Sequence, residues 1–272
     1  MSETSKTVTN ALGVLGCFSR TEPVLSASEL ARRLKLTRTS VLRLLATLER
    51  FGYIEKCPEP VGYRIGLRAF EVGTLFLAAN PLSSVLERAL DELVEKTQCT
   101  AYLAVLDKAD VVMLNHREGT LPIRFVWQVG DRLPLHTTAM GKAMLALMSS
   151  EEIDRHLGRG KTLRALTEKS IRSRSQLDAD IAKTRERGWG LAREESHAGL
   201  TAVGSAIVDK TNRPIAAIAV SFLDYPPNPK RVNQLATVVT AVAEGVSNKI
   251  AEYGSYGASL VRPLWETAAR RA

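Results

Sequence analysis

The chain has 272 residues, of which 45% are hydrophobic and 24% charged, an ordinary globular composition with room for a small domain and a larger one. Its net charge of +8 and pI near 9.5 suit a polyanionic partner. The sequence has no apolar run long enough to span a membrane and no signal-peptide pattern, so we expect a cytoplasmic protein without membrane contact. The three cysteines, Cys17, Cys57 and Cys99, are too scattered for a disulfide or metal framework, and we expect reduced thiols.

The first predicted helix spans Val8 to Phe18 and follows residues 1–6, which we expect to be disordered. Its apolar residues recur at helical spacing, although two interior glycines weaken the pattern. We expect this helix to pack behind the stretch that comes next.

Residues 26–52 are predicted to form two short helices joined by a tight turn. Ser26 and Glu29 have the spacing of a capping box at the start of the first helix. Thr37 is the predicted N-cap of the second helix. Gly52 is predicted to end that helix, because glycine readily takes the left-handed conformation needed after the last turn.

The second of these helices has two different sides. Val41, Leu44, Leu45 and Leu48 recur at the i, i+3, i+4 and i+7 positions and predict one buried stripe. The opposite side carries hydroxyl and arginine side chains, which reach base edges and phosphates when a helix lies in a major groove. The pattern therefore predicts a DNA recognition helix; the alternative is a helical hairpin whose basic side is only solvated.

Two short alternating runs, Tyr53–Lys56 and Gly62–Ile65, follow the helix pair and predict a hairpin. A hairpin in this place is a wing, from which Lys56 and Arg64 can touch phosphates. The whole segment resembles the winged helix-turn-helix of the IclR family of bacterial transcriptional regulators. The resemblance is carried by Leu30-Ala31-Arg32-Arg33-Leu34, by Thr39 through Leu48, and by Gly52-Tyr53-Ile54.

We expect double-stranded DNA as the partner of this unit. One recognition helix reads too few base pairs to single out a genomic site, so we expect at least a dimer on a near-palindromic operator. The apolar candidates for the dimer contact are the helices at Val8–Phe18 and Leu67–Ala79. The predicted DNA contacts are Thr37, Arg38, Thr39, Ser40 and Arg43 in the major groove, and Lys56 and Arg64 on the DNA backbone.

A domain boundary is predicted near residue 80. Residues 1–66 form the DNA-binding domain, 67–81 a linker helix ended by Asn80-Pro81, 82–253 a second domain, and 254–272 a poorly ordered tail. In the second domain the predicted helices are Leu82–Thr97, Ala139–Met148, Glu151–Leu157, Ser175–Arg187 and Asn228–Tyr253. The predicted strands are Thr100–Asp107, Val111–Asn115, Leu121–Val126, Thr201–Asp209 and Ile215–Leu223. Hairpin-linked strands with helices before, between and after them predict an α+β domain around a mainly antiparallel sheet.

The second domain resembles the same family more closely. The segment from Leu133 to Ala146 matches the family's effector-domain motif nearly residue for residue. The matches that follow in the family's order are Gly188-Trp189, Glu195, Gly199, Ala202-Val203-Gly204 and Ile207-Val208-Asp209. The resemblance spans residues 8 to 252. It implies a GAF-like domain that binds a small metabolite, assembly as dimers or tetramers, and no catalytic activity.

The motif places the start of a helix directly after Thr137 and Thr138. The N–H groups of its first turn, near Ala139 and Met140, have no acceptor within the helix. A carboxylate bound there gains those hydrogen bonds and the favourable end of the helix dipole, about 1–2 kcal/mol beyond apolar contact. The resemblance implies an effector-binding pocket formed by Phe125, Trp127, Ala139, Met140, Ala192, Leu200, Ala202, Ala219 and Ser221.

Three of these positions depart from the family pattern. Ala192 stands where an acidic residue is common, and Ala202 and Ala219 stand where small polar residues can occur, which leaves Ser221 as the retained hydroxyl. A two- or three-carbon keto acid would lose partners here, whereas the two aromatic residues of the pocket offer flat apolar surface. We therefore expect a larger organic acid, with an aromatic acid as one candidate. The alternative is that the two aromatic rings pack in the core or in an interface.

Other chemistries have less support in the sequence. The four histidines show no metal-ligand spacing, and we expect His136 to support the turn before the motif helix. No nucleophile elbow, P-loop or dinucleotide fingerprint is present. Glu194 and Glu195 could act as acid and base, but neighbours on a strand point to opposite faces. We expect no metal, no cofactor and no catalysis; the alternative is a small-carboxylate-processing enzyme with an appended nucleic-acid-binding module.

Overall fold

The computed structural model describes residues 4–78, 83–160 and 162–252, and the chain divides into two compact units, residues 1–79 and 80–272. The predicted end of the linker helix at Asn80-Pro81 and the predicted tail from residue 254 lie outside the described residues. No helix in the described ranges is both long and apolar enough to cross a membrane.

The first unit contains the predicted helix pair and hairpin. Its elements are α1 (Lys6–Leu15), α2 (Ala27–Leu34), α3 (Arg38–Arg50), β1 (Ile54–Cys57), β2 (Gly62–Ile65) and α4 (Leu67–Ala78). Strands β1 and β2 pair antiparallel, which confirms the wing. Helix α1 differs from the prediction because it already includes Lys6 and ends at Gly16, whose N–H bonds back to the carbonyl of Leu12.

The start of α2 shows half of the predicted capping box. The Ser26 hydroxyl accepts the N–H of Glu29 at 3.2 Å. The Glu29 carboxylate does not return to the cap but accepts hydrogen bonds from Arg32 and Arg33 on the same helix. The Glu29 carboxylate pairs with the arginines at i+3 and i+4 rather than with the backbone N–H of Ser26, because guanidinium–carboxylate hydrogen bonds are stronger than those to a neutral donor.

Helix α3 begins and ends as predicted. The Thr37 hydroxyl accepts the N–H of Ser40 at 3.2 Å, and Gly52 follows the helix with φ of +74°. Val41 and Leu45 are fully buried against α1 and α2, and Leu44 and Leu48 pack at the border of this small core. The apolar stripe therefore fixes which side of α3 stays outside.

The second unit is an antiparallel sheet between two helical layers. Its strands are β3 (Thr100–Asp107), β4 (Asp110–Arg117), β5 (Arg132–Pro134), β6 (Gly190–Arg193), β7 (Leu200–Val208) and β8 (Pro214–Leu223). Its helices are α5 (Ser83–Thr97), α6 (Ala139–Ala146), α7 (Ser150–Leu157), α8 (Arg174–Arg187) and α9 (Pro229–Glu252). The strand order is β5-β4-β3-β8-β7-β6, and every pairing is antiparallel. The α+β class with a mainly antiparallel sheet is confirmed.

Side chains alternate between the two faces of this sheet. On β3, Ala101 and Leu103 pack with α5 and α9, whereas Tyr102 and Ala104 pack with α6, α7 and α8. Each face closes its own apolar core, as alternation in a strand covered on both sides requires.

The predicted strand Leu121–Val126 is wrong. These residues form no strand; the sheet instead adds β5 at Arg132–Pro134, and it gains β6, which the sequence did not predict. The alternating apolar residues were misleading because Pro122 lacks an N–H for a ladder, and Ile123 is 70% exposed rather than in the core. The other predicted helices and strands of this unit are confirmed with shifts at their ends.

Candidate nucleic-acid interface and ligand site

The outer side of α3 carries the predicted groove contacts. Arg38, Thr39, Ser40 and Arg43 are exposed, and Thr37 is exposed at the cap. In the described part of the chain Arg38 and Arg43 take part in no ion pair and no side-chain hydrogen bond. The hydroxyls of Thr37 and Ser40 lie 2.8 Å apart and share a hydrogen bond. The side therefore presents two unengaged guanidinium groups beside a pair of hydroxyls.

The predicted wing contacts are engaged with acidic partners. The Lys56 ammonium lies 2.9 Å from the Glu49 carboxylate, which raises the pKa of Lys56. The Arg64 guanidinium lies 3.0 Å from the carboxylate of Glu55 across the hairpin. Exposed ion pairs of this kind contribute about 0–1 kcal/mol, so a phosphate can compete with the carboxylates for both cations.

Two arginines of α2 form ion pairs with acidic residues of the same unit. Arg32 and Arg33 donate to Glu29 and hold the pKa of that carboxyl at about 2. Arg33 also pairs with Glu22 in the loop before α2. These contacts leave α3 as the element with unengaged arginines facing outward.

The first turn of α6 forms one wall of a cavity in the second unit. The Thr138 hydroxyl caps the helix by accepting the N–H of Gly141 at 3.0 Å. The N–H groups of Ala139 and Met140 come next; both residues are almost fully buried, and neither N–H has a hydrogen-bond acceptor among the described residues. Buried backbone donors are normally satisfied, so this pair points to an acceptor that the chain itself does not supply.

Glycines allow α6 to come this close to the sheet. A Cβ on Gly190 of β6 would lie 2.0 Å from the carbonyl oxygen of Ala139, and one on Gly204 of β7 would lie 2.9 Å from the nitrogen of Met140. Any larger residue at either position would push the helix start away from the sheet. The two glycines therefore fix the position of the free N–H groups.

The cavity is small as the structure stands, with a volume of about 20 Å³, room for about one water molecule, so an organic acid must displace part of the wall to enter. Eight of the nine predicted effector positions lie in its wall: Trp127, Ala139, Met140, Ala192, Leu200, Ala202, Ala219 and Ser221. The wall also contains five residues that were not among those positions: Tyr102, Met113, Leu133, Thr138 and Ser196.

The ninth predicted position, Phe125, is not part of the wall. Its ring packs edge-on against Trp127 with centroids 4.7 Å apart, and it lies 4.2 Å from the ring of His197. Trp127 is half-buried and also contacts the apolar core below α6. Phe125 therefore supports Trp127 from the outer side, while the carbonyl oxygen of Phe125 accepts a hydrogen bond from the Tyr102 hydroxyl at 2.6 Å.

The wall is neutral but more polar than the sequence indicated. The expectation that Ser221 supplies the retained hydroxyl is too narrow, because Tyr102, Thr138 and Ser196 also contribute hydroxyl-bearing side chains. No acidic or basic side chain is among the wall residues described. Tyr102 became apparent only in the structure, as the cross-strand neighbour of the predicted Ala219 in the β3–β8 register.

A buried charge cluster anchors α6 behind the cavity. Lys142 is fully buried, and its ammonium donates to the Glu195 carboxylate at 2.6 Å and to the carbonyl of Leu191 at 3.1 Å. Asp180 on α8 lies 3.0 Å from the same ammonium but outside hydrogen-bond geometry. Burial raises the pKa of Glu195, and the Lys142 charge opposes that shift. The cluster joins α6, α8 and the turn that leads to Ser196.

The two adjacent glutamates have separate roles. Glu194 is half-buried and pairs with Lys169, whereas Glu195 turns inward to Lys142. They do not face a common point, as an acid–base pair would. His136 is buried and its Nε2 lies 2.9 Å from the carbonyl of Arg164, so it braces the turn before α6; burial lowers its pKa. Among the described residues no group of three or more metal-binding side chains comes together.

Comparison with known proteins agrees with this architecture. Residues 7–58 match the IclR helix-turn-helix domain, and residues 75–248 match the family described as bacterial transcriptional regulator IclR C-terminal. The chain belongs to the IclR family. It is 31% identical over 244 residues to the acetate operon repressor of Salmonella typhimurium, covering 89% of each chain.

Solved structures of IclR-type regulators share the fold. The IclR protein of Thermotoga maritima superposes with a TM-score of 0.69 at 24% identity, covering 90% of this chain and 98% of that one. An IclR homolog of Microbacterium hydrocarbonoxydans, solved in complex with 4-hydroxybenzoate, gives a TM-score of 0.76 at 20% identity, covering 89% and 98%. The protein is therefore a transcriptional regulator with a helix-turn-helix and an IclR-type C-terminal domain.

Proposed function

We propose that this regulator binds operator DNA through α3 and the wing, and that a small organic acid in the cavity beside α6 controls its DNA affinity. The observation that carries the effector half is the pair of N–H groups at Ala139 and Met140, which are buried, face a cavity and have no acceptor among the described residues. A carboxylate satisfies both donors and gains the positive end of the helix dipole without needing a charged side chain.

The chemistry of the wall, rather than the present size of the cavity, favours an acid larger than three carbons. Trp127, Met140 and Leu200 line the cavity with apolar surface, which offers a keto acid of two or three carbons few polar partners. An aromatic acid can cover it, and 4-hydroxybenzoate, the ligand of the Microbacterium hydrocarbonoxydans homolog, is a suitable first probe.

On the DNA side we propose Thr37, Arg38, Thr39, Ser40 and Arg43 as groove contacts. Arg38 and Arg43 need no rearrangement to meet a base edge or a phosphate, because they are exposed and unengaged. Lys56 and Arg64 would first exchange their carboxylate partners for phosphates, which makes them secondary backbone contacts.

We also propose that the protein works in the cytoplasm as a dimer, or a tetramer built from dimers, on a near-palindromic operator. Helices α1 and α4 leave large apolar side chains exposed, including Leu12 at 62%, Phe70 at 68% and Leu75 at 64%. Exposed apolar groups in this number mark a contact surface. Sedimentation of the full chain should give a dimer or larger; a monomer that protects a long symmetric footprint would contradict the proposal.

The experiment that tests the function combines a gel shift with a thermal-shift screen. The protein should retard the intergenic DNA upstream of its own gene, and one of a set of small carboxylates should raise its melting temperature. A ligand at about 100 times its Kd adds about 2.7 kcal/mol of stability, which a melting curve resolves. Turnover of a carboxylate without DNA binding would instead support an enzyme with an appended nucleic-acid-binding module.

A further inference from the structure

Leu42 is an exposed leucine on the outer side of helix α3. It is 42% exposed, whereas the other three leucines of the helix, Leu44, Leu45 and Leu48, lie in or against the apolar core of the first unit. Leu42 packs against no apolar core in the described part of the chain. The buried stripe that fixes α3 therefore holds the Leu42 side chain on the side that the core leaves free.

The outer side of α3 divides into an apolar strip and a polar strip. Thr39, Leu42 and Ala46 are all exposed and adjoin one another at the i, i+3 and i+7 positions of a helix with 3.6 residues per turn. The neighbouring strip lies one residue further along at each step and is polar, consisting of Ser40, Arg43 and Thr47. Two kinds of chemistry are thus presented side by side on one helix.

An exposed leucine is common on protein surfaces and by itself carries no argument. Leu42 differs by its position, because it lies one turn after Arg38 and directly before Arg43. Both arginines are exposed and take part in no ion pair among the described residues. An apolar side chain between two unengaged cations fits a partner that offers an apolar group beside hydrogen-bonding atoms and phosphates.

Double-stranded DNA offers that combination in its major groove. The C5 methyl of thymine is the apolar group on the base edges there, and the other edge groups accept or donate hydrogen bonds. Arginine and hydroxyl side chains read the hydrogen-bonding groups but gain no hydrogen bond from a methyl. A leucine and an alanine do the reverse, because they can only exclude water from a methyl group.

We infer that Leu42, with Ala46 beside it, reads the C5 methyl groups of thymines in the operator. This inference rests on the proposed placement of α3 in the major groove. Leu42 adjoins Thr39, one of the proposed groove contacts, so a helix position that brings Thr39 to the bases brings Leu42 into the same groove. Leu42 then adds a preference for thymine that Arg43 and the hydroxyls do not supply.

The test replaces thymine by deoxyuridine, which forms the same base pair and lacks only the C5 methyl. The full-length protein is titrated with the intergenic DNA upstream of its gene, prepared once with thymine and once with deoxyuridine throughout. One buried methyl group is worth a factor of about four in affinity. A dimer with one such contact in each half-site should therefore bind the thymine DNA about tenfold or more tightly.

Two variants assign the preference to a residue. Leu42→Ala should bring the affinities for the two DNAs within about threefold of each other, chiefly by weakening the binding of thymine DNA. Its melting temperature should stay close to that of the wild type, because Leu42 lies outside the core. The matched control is Leu147→Ala, which shortens a leucine of the second unit with a similar exposure of 40% and should leave the thymine preference unchanged.

Interference mapping of the wild-type protein needs no variant to fold. In duplexes that carry deoxyuridine at random thymine positions, the bound fraction should be depleted of deoxyuridine at symmetric positions of the two half-sites. Equal affinity of the wild type for both DNAs, or an unchanged preference in Leu42→Ala, would overturn the role of Leu42 while leaving DNA binding by α3 in place. Failure of the wild type to bind the thymine DNA would overturn this inference together with the proposed function.

Discussion

Among the described residues, the arginines on α3 have no acidic partner to give up when they bind DNA, whereas the cations of the wing do. Arg43 is exposed and unengaged, whereas Lys56 is already paired with Glu49. Arg43→Ala should therefore cost about 1–3 kcal/mol of operator affinity and relax the base preference, if it contacts a base edge. Lys56→Ala should weaken all DNA sequences alike and flatten the salt dependence slightly. Anisotropy titrations on specific and random DNA measure both, and two variants that bind like the wild type would remove these contacts.

Loss of Lys142 should destabilise the second unit strongly, because its buried ammonium lies between two carboxylates. Lys142→Met leaves the carboxylates of Glu195 and Asp180 near each other without their cation, which should lower the free energy of unfolding by about 3–5 kcal/mol. The matched control is Lys169→Met, which removes an exposed partner of Glu194 and should cost less than about 1 kcal/mol.

The pH dependence of that loss has a defined sign. Burial raises the folded-state pKa of Glu195, and removing Lys142 raises it further. A carboxyl with a raised folded pKa binds more protons in the folded state, so stability falls as pH rises through that pKa. Urea unfolding of Lys142→Met should therefore show a larger loss at pH 8 than at pH 5. An equal loss at both pH values would mean that Glu195 does not carry the uncompensated charge.

At the scale of elements, the start of α6 determines where an acid can bind. Ala139→Asp places a carboxylate at the first turn, where it would occupy the free N–H groups and repel the ligand. Affinity for a responding acid should fall more than about tenfold, or about 1.4 kcal/mol, with unchanged operator binding by the ligand-free protein. Ala139→Asn has nearly the same shape without the charge and should lose less. An Ala139→Asp protein that responds normally would place the effector elsewhere.

The elements that could be predicted from sequence are those with local signals. Thr37 and Gly52 fix the ends of α3 through contacts within a few residues, and both were predicted. Strand β6 has four residues, and its place is set by pairing with β7 and by the approach of α6 over Gly190, which no local pattern reveals. Residues 121–126 show the opposite error: their alternating pattern predicted a strand, but they form none, and Ile123 is exposed.

The residues of the candidate site also divide into those that sequence could indicate and those that depend on tertiary structure. Family resemblance supplied positions on the motif helix and on strands β7 and β8, whereas Tyr102 and Ser196 required the three-dimensional arrangement. The sequence also could not show that the Tyr102 hydroxyl reaches the carbonyl of Phe125, because the two residues are joined only through the fold.

At the scale of the whole molecule, the proposed function requires that a ligand in the second unit changes DNA binding by the first. Such coupling is a free energy shared by the two sites, so it must act equally in both directions. If the acid weakens operator binding tenfold, bound operator must weaken acid binding tenfold, a coupling of about 1.4 kcal/mol.

The most direct test of this coupling measures both affinities on the same protein. Operator affinity is determined by anisotropy with and without saturating acid, and acid affinity by calorimetry with and without saturating operator. The proposed mechanism predicts two factors that agree, and the loss of both in Ala139→Asp. No change in operator affinity at saturating acid, or a change of the same size in Ala139→Asp, would contradict it.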